Sequence, residues 1–131
     1  MTNVYDPKSV TVIIDGAFIT GFAEGSMVTA SKDEENFTVK VSAKGETDVA
    51  KTNNPLGTIT VMLSATSPHT KRLDRLAASV KPVAAWVNCS GPVKEKRGGT
   101  QAIVKKPADA EFSDEVGDRE YELQVLDFTV Q

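Results

Sequence analysis

Thr58-Ile59-Thr60-Val61-Met62-Leu63-Ser64-Ala65 alternates two kinds of side chain with a period of two. Ile59, Val61, Leu63 and Ala65 share one face, and Thr58, Thr60, Met62 and Ser64 share the other. Successive strand residues point to opposite sides of a sheet, so the pattern predicts a strand with an apolar face in a core. Its second face is rich in hydroxyls and carries no charge.

The same period recurs upstream. Asn53-Asn54-Pro55-Leu56-Gly57 is a turn cluster, and before it Phe37, Val39, Val41 and Ala43 alternate with Thr38, Lys40, Ser42 and Lys44. Lys44-Gly45 turns the chain, and Glu46–Thr52 returns with little apolar content beyond Val49 and Ala50. That return arm is too polar for an ordinary core strand. The hairpin is therefore expected either to protrude into solvent or to pair with another subunit. Further back, Asp33-Glu34-Glu35 is a break, preceded by a strand near Met27–Lys32 and a glycine-punctuated link, Gly21–Gly25. Val10, Val12 and Ile14 alternate up to Asp15-Gly16, beyond which Ala17–Thr20 runs back. Asp-Gly between apolar runs is a strong hairpin signal, because both turn positions favour positive φ.

Downstream the period changes. Ser67-Pro68 reads as N-cap and first helical residue, and Leu73, Leu76, Ala77 and Val80 follow at helical spacing with Lys71, Arg72, Asp74 and Arg75 outward. Lys81-Pro82 ends an amphipathic helix predicted over about 69–79. Strands are expected at Val83–Cys89 and Thr100–Lys105, joined by the basic, glycine-rich loop Gly91–Gly99. Pro107–Gly117 reads as acidic and irregular. The last strand, from about Arg119 to Val130, puts Tyr121, Leu123 and Val125 on one face and Leu126, Phe128 and Val130 on the other, so a bulge or a doubly buried end is expected. No repeat or linker divides the 131 residues, and one domain over 1–131 is expected. The architecture predicted is mainly β, a sandwich or barrel of antiparallel strands with one flanking helix.

Chemistry is scarce. With one Cys (Cys89) and one His (His69), an intrachain disulfide and a Cys/His zinc site are both excluded. Cys89 reads as a buried thiol in an apolar strand, and His69 as a surface residue near the helix start. No Gly-x-x-x-x-Gly-Lys-Ser/Thr loop or Gly-x-Ser-x-Gly elbow is present. The adjacent carboxylates Asp33-Glu34-Glu35 and Asp114-Glu115 suit a solvated turn better than an acid/base pair across a cleft. Asp109–Asp118 lacks the alternating spacing of a calcium loop. Lys94, Lys96 and Arg97 lie near glycines without aromatics interleaved for base stacking. The expectation is a protein without catalysis, cofactor or metal. Met1–Asp6 lacks the layout of a secretion signal and no apolar run is long enough to span a bilayer, so a reducing cytoplasm is expected unless the chain leaves within a larger particle.

The formal charge of −3 conceals a polarised chain. Residues 1–70 carry net −3, residues 71–106 net +7 and residues 107–131 net −7. Two solvated faces explain each charge singly; a subunit stacking basic face on acidic face explains the whole pattern.

Five stretches together resemble a family of small structural proteins of contractile-tailed phages whose members form the tail tube. They are Val10–Gly16 with Ile19-Thr-Gly-Phe22, Asp33-Glu-Glu-Asn-Phe37, Asn53–Val61 running on to Ala65-Thr-Ser-Pro68, Lys105-Lys-Pro-Ala-Asp109, and Arg119-Glu-Tyr-Glu122. The likeness covers nearly the whole chain, although each motif alone is a strand-and-turn signal. It implies a homo-oligomer of stacked, hexameric rings within a contractile tail, assembled in the host cytoplasm and carried in the virion. Strands join edge to edge around a bore that conducts DNA, with tail sheath and tail-end proteins as partners and no membrane. A bore that lets DNA pass should not grip phosphate, so Asp33, Glu34, Glu35, Glu46 and Asp48 are candidates to face it. Thr38, Lys40, Lys51, Asn53, Asn54, Lys94, Lys96, Arg97, Asp114 and Glu115 are candidate inter-subunit residues. The alternatives are the tube of a phage-derived bacteriocin or injection device, and a monomeric ligand-binding β-sandwich.

Overall fold

The computed structural model describes residues 10–20, 28–90, 94–108 and 117–131. The predicted strand at 58–65 is β6, Gly57–Ser64, with Ile59, Val61 and Leu63 fully buried. Ahead of it lie β1 (Val10–Ile14), β2 (Ala17–Phe18), β3 (Val28–Lys32), β4 (Phe37–Val41) and β5 (Thr47–Lys51). After it come the helix α1 (Thr70–Ser79), β7 (Val83–Cys89), β8 (Glu95–Val104), β9 (Asp118–Val125) and β10 (Thr129–Val130). All described pairings are antiparallel. The main sheet runs β2-β1-β7-β8-β9-β6-β3, with β10 also on β8, while β4 and β5 pair only with each other.

Alternation fixes which faces meet. Val12 and Ile14 of β1, Ala85 of β7, Ala102 and Val104 of β8, and Tyr121, Leu123 and Val125 of β9 join the β6 residues in one buried cluster. The sheet curls over that cluster, because Val28 and Ala30 of β3 line the same groove as Val10, Val87 and Arg97 from its other half. It does not close: β2 and β3 end the strand order without pairing, so the expected sandwich is realised as an open, curled sheet and the barrel alternative is not.

The helix supplies the remaining wall. Leu73, Leu76 and Ala77 are buried, while Lys71, Arg72 and Arg75 are exposed. The Tyr121 hydroxyl on β9 donates to the Thr70 carbonyl (3.1 Å) and to Asp74 Oδ1 (2.9 Å). Burial, together with the Asp74 acceptor, pushes that phenol well above its ordinary value. The helix starts one residue later than predicted, with His69 at the N-cap position and no side-chain cap. Ser67 still accepts from the His69 N–H (3.4 Å), but its buried hydroxyl donates to the Thr20 carbonyl (2.6 Å), tying the helix entry to the end of the first hairpin. At the other end Val80, the C-cap residue ahead of Lys81-Pro82, adopts a left-handed conformation (φ 51°), a costly one for a β-branched residue.

Two places in the chain need their particular residues. Asp15 and Gly16 have φ of 53° and 78°, the conformation that the Asp-Gly signal predicted between β1 and β2. Gly98 and Gly99 do not form the loop expected over 91–99. From Glu95 onward the chain is already strand β8, in which Lys96 and Arg97 lie. Gly98 faces Trp86 across the ladder, where a Cβ would strike the Ala85 carbonyl, and a Cβ on Gly99 would strike the Asp127 carboxylate and Val125. The glycines thus serve close strand packing rather than a turn.

The phase slip after Val125 is also realised. Leu126–Phe128 interrupts the strand between β9 and β10. There the Asp127 carboxylate accepts from the Gln101 N–H (3.0 Å), the Thr100 N–H (3.2 Å) and the Thr100 hydroxyl, replacing ladder bonds with side-chain ones. The slip returns Phe128 to the core cluster that holds Tyr121, Leu123 and Val125, where it is buried over Gly57, and its N–H donates to the Pro55 carbonyl (2.9 Å).

Two outcomes are expected. Val80→Gly should stabilise the protein by about 0.5–1 kcal/mol in urea unfolding, because left-handed backbone costs an L-residue roughly 1–2 kcal/mol and glycine's extra chain entropy offsets part of that gain; Val80 is 63% exposed, so little packing is lost. The second concerns acid. Burial would raise the Asp127 carboxyl, but its donors outweigh it and hold the group below its ordinary value of 3.8. A depressed folded pKa gives stability that is present above 3.8 and lost as pH falls through the lower folded value. Asp127→Asn should cost about 1–2 kcal/mol at neutral pH and flatten the fall in stability below pH 3.8, read from urea midpoints against pH.

Candidate assembly surface

The hairpin β4–β5 stands apart from the core. Every residue in both strands is exposed. The register Phe37↔Lys51, Val39↔Val49 and Val41↔Thr47 puts Phe37, Val39, Val41 and Val49 on one face, at 51%, 54%, 63% and 68% exposure. The reverse face carries Thr38 opposite Ala50 and Lys40 opposite Asp48. Among the described residues nothing pairs with the outer edge of either strand. A lone two-stranded hairpin is marginal in water, and an apolar face left open on unpaired strands is a template for another chain. Of the two expectations for this element, protrusion is what the free subunit shows.

The foot of the hairpin is bonded as carefully as its strands are bare. The Asp33 N–H donates to the Leu56 carbonyl (3.1 Å) and the Thr52 N–H to the Asn36 carbonyl (2.8 Å). Lys32 Nζ donates to Asn36 Oδ1 (2.6 Å), and Asn54 Oδ1 accepts from the Leu56 N–H (3.0 Å). The Asp33 carboxylate accepts from the Thr58 hydroxyl (2.6 Å) and from Gln124 Nε2 (2.9 Å). These two donors hold its carboxyl below the usual carboxylate range.

The candidate bore residues fall into two environments. Asp33 is engaged at the foot, whereas Glu34 and Glu35 are exposed on the link into β4. Glu46 sits at the hairpin turn, its N–H donating to the Ser42 hydroxyl (3.2 Å), and Asp48 lies on the polar face of β5. Of the candidate inter-subunit residues, Thr38, Lys40, Lys51 and Asn53 are exposed, and Asn54 is spent on its own turn. Lys94 is exposed. Lys96 lies 4.1 Å from the Trp86 ring centroid, a cation–π contact on the outer face. Arg97 Nε donates to Glu95 (2.6 Å), and Arg97 Nη1 reaches the Ala30 carbonyl (3.5 Å) across the groove. Asp114 and Glu115 lie outside the described residues. So do the Gly21–Gly25 link and most of the acidic stretch at 107–117.

Three sequence readings change. Lys96 and Arg97 are residues of strand β8 rather than of a loop, and each makes a contact within the subunit. Cys89 is half-buried at the end of β7, not fully enclosed. The basic and acidic blocks lie partly side by side: antiparallel pairing of β8 with β9 sets Lys105 3.4 Å from Glu122. The residues that sequence reasoning missed are Phe37, Val39, Val41 and Val49. Their alternation was visible, but alternation alone reads equally as a core-facing strand. Among the described residues no three His, Cys, Asp or Glu side chains converge on a metal position, and no helix is long and apolar enough to cross a membrane.

The fold itself has known counterparts. It superposes on the sheath/tube terminator of the extracellular contractile injection system PVC in its extended state, with a TM-score of 0.73 and 11% identity over 99% of this chain and 98% of that one. The tube-terminating cap of the anti-feeding prophage matches with a TM-score of 0.68 and 12% identity over 100% and 93% of the two chains. A chain of the extended PVC sheath–tube complex matches at 0.66 and 12% over 96% and 90%. This is the fold of contractile-device components. No protein-family model matches the sequence, and no curated protein matches it.

Limited trypsin digestion reads the exposed surface directly. Cleavage is expected first at Lys40, Lys44 or Lys51 in the hairpin, ahead of Arg119 in β9, because opening the hairpin exposes no core. Mass spectrometry of the early fragments identifies the order.

Proposed function

We propose that this chain is a non-enzymatic structural subunit of a contractile tail or injection device, a tube-type protein that joins copies of itself into stacked rings. The observation that carries the reading is the hairpin β4–β5, whose apolar face and outer edges find nothing to cover them within the subunit. Covering Phe37, Val39, Val41 and Val49 against a sister molecule contributes on the order of 1 kcal/mol for each half-exposed side chain. Pairing of the strand edges removes the aggregation template and gives the contact its register. Similarity to injection-system components supports the same reading, as do the family-like segments along the sequence.

In the assembled ring, hexameric by that resemblance, Asp48 on the polar hairpin face turns to the bore, and Asp33, Glu34, Glu35 and Glu46 keep its rim acidic. DNA then passes without counterion-release binding to a basic wall. Sheath surrounds the outside, and tail-end proteins cap the stack. A second reading has its own support: the terminator and the cap superpose better than the sheath–tube chain, which favours a single ring closing the end of a tube.

Electron microscopy and sedimentation of the full chain over rising concentration separate these outcomes. Long hollow tubes mark a tube subunit and isolated rings a terminating one, whereas a monomer at every concentration overturns assembly. Val39→Asp with Val49→Asp should leave the circular dichroism of the monomer unchanged. It should raise the concentration needed for assembly roughly a hundredfold, since two charges are then buried unpaired.

A further inference from the structure

We infer that Asp33 is the positioning residue that aims the hairpin: its carboxylate fixes the angle at which β4–β5 leaves the body. The inference rests on the reading of that hairpin as the assembly element, but the aiming is a property of the free subunit.

The argument begins with the links. Chain leaves β3 at Lys32 and returns to β6 at Gly57, and these two residues are register partners. The exit and re-entry of the hairpin are therefore adjacent, with one hinge axis between them. The Thr52 N–H to Asn36 carbonyl bond holds the two legs of the arm together, and Lys32 Nζ, at the end of β3, reaches Asn36 Oδ1 along the outgoing leg. Neither bond ties the arm to β6 or β9, the strands beside its foot. The return leg is pinned by Phe128, which donates to the Pro55 carbonyl and lies over Gly57.

The outgoing leg is pinned by Asp33, and its two carboxylate oxygens contact two different strands. Oδ1 accepts from Thr58 on β6, and Oδ2 accepts from Gln124 on β9. Gln124 is itself oriented, because its Nε2 also donates to the Gly57 carbonyl (2.9 Å). Thr58 and Gln124 are register partners across β6 and β9. A carboxylate spanning two side chains of one rigid ladder resists rotation about the hinge, as a single hydrogen bond does not. Each bond is charge-assisted, hence stronger than a neutral one. The arm has no buried side chain of its own to do this work.

Aiming matters because the ring is a closed assembly: an arm sampling many directions lowers the fraction of subunits ready to pair, and the apparent affinity falls by that fraction. Loss of both carboxylate bonds should weaken assembly roughly tenfold while leaving the contact residues themselves intact.

The test reads the arm in the monomer first. Spin labels on a Lys44→Cys variant and on the native Cys89 report the distance from hairpin tip to body. A narrow distribution is expected for the parent, and a broad one for Asp33→Ala. Thr58→Val with Gln124→Ala removes the donors instead of the acceptor and should broaden it equally, so a folding defect in one variant does not leave the question open. Unchanged distributions in both variants overturn the inference. Assembly of the same variants, without labels, is then compared with that of Val39→Asp plus Val49→Asp. If the aspartate pair blocks assembly while Asp33→Ala assembles at the parent concentration, aiming by Asp33 fails and the hairpin reading stands. If the aspartate pair also assembles normally, the hairpin reading fails, and the label distances alone decide whether Asp33 aims the arm.

Discussion

The kink at Leu126–Phe128 is the constraint on which the rest of the molecule depends. Strand β8 is bonded along one edge to β7 and along the other first to β10 and then to β9. Between β9 and β10 that second edge is carried by a kink whose side-chain phase slips, so that Phe128 rejoins the core of Tyr121, Leu123 and Val125. The kink holds because Asp127 supplies acceptors where backbone carbonyls turn away, and because Gly98 and Gly99 leave room for the crossing strands. The same turn delivers Phe128 to Pro55 and Gly57, at the foot of the hairpin. One carboxylate thus connects the closure of the core to the place where the arm departs.

Much of this was legible in the sequence, for physical reasons that also explain the rest. β6 was plain because it is buried on one face along its whole length, so selection for burial writes a period of two into it. The Asp15-Gly16 turn was plain because its backbone conformation admits few residues. The helix was found to within a residue, the shift arising because Ser67 spends its hydroxyl on Thr20. Glycines at 98 and 99 misled, since a glycine needed for close approach and a glycine needed for a turn look alike in one dimension. The hairpin was recognised as anomalous from its polar return arm. Its apolar face was not recognised as the candidate contact surface, because alternation records that a side chain will be covered without recording by which molecule. In the sequence Asp33 is one of three adjacent acids, with nothing to set it apart from Glu34 and Glu35. Its bonds to Thr58 and Gln124 span 25 and 91 residues of sequence, separations at which a single chain gives no signal.

The division of labour between body and arm follows from energetics. The body holds a core of fully buried aliphatic residues such as Ile59, Val61, Leu63 and Leu123, and can tolerate strain at Val80. The arm buries nothing and is held by hydrogen bonds at its foot. Conformational entropy opposes ordering such an arm, so its order in the free subunit comes from local bonding rather than from packing. Counterparts at 11–12% identity share the curled sheet, which shows how little of the sequence beyond the alternating pattern that architecture demands.

The place of β9 in the strand order has a consequence for biosynthesis. It follows every other long strand in the chain yet lies between β6 and β8, with Gly57–Ser64 matched to Val125–Asp118. A ribosome that has delivered only the residues before 118 holds two open ladders and half a core, and the acceptor site for the Asp33 latch lacks Gln124. The Asp33–Gln124 bond at the foot of the arm therefore forms late, after β9 has joined the sheet. A nascent chain thus completes the foot of its hairpin only once β9 has emerged and joined the sheet.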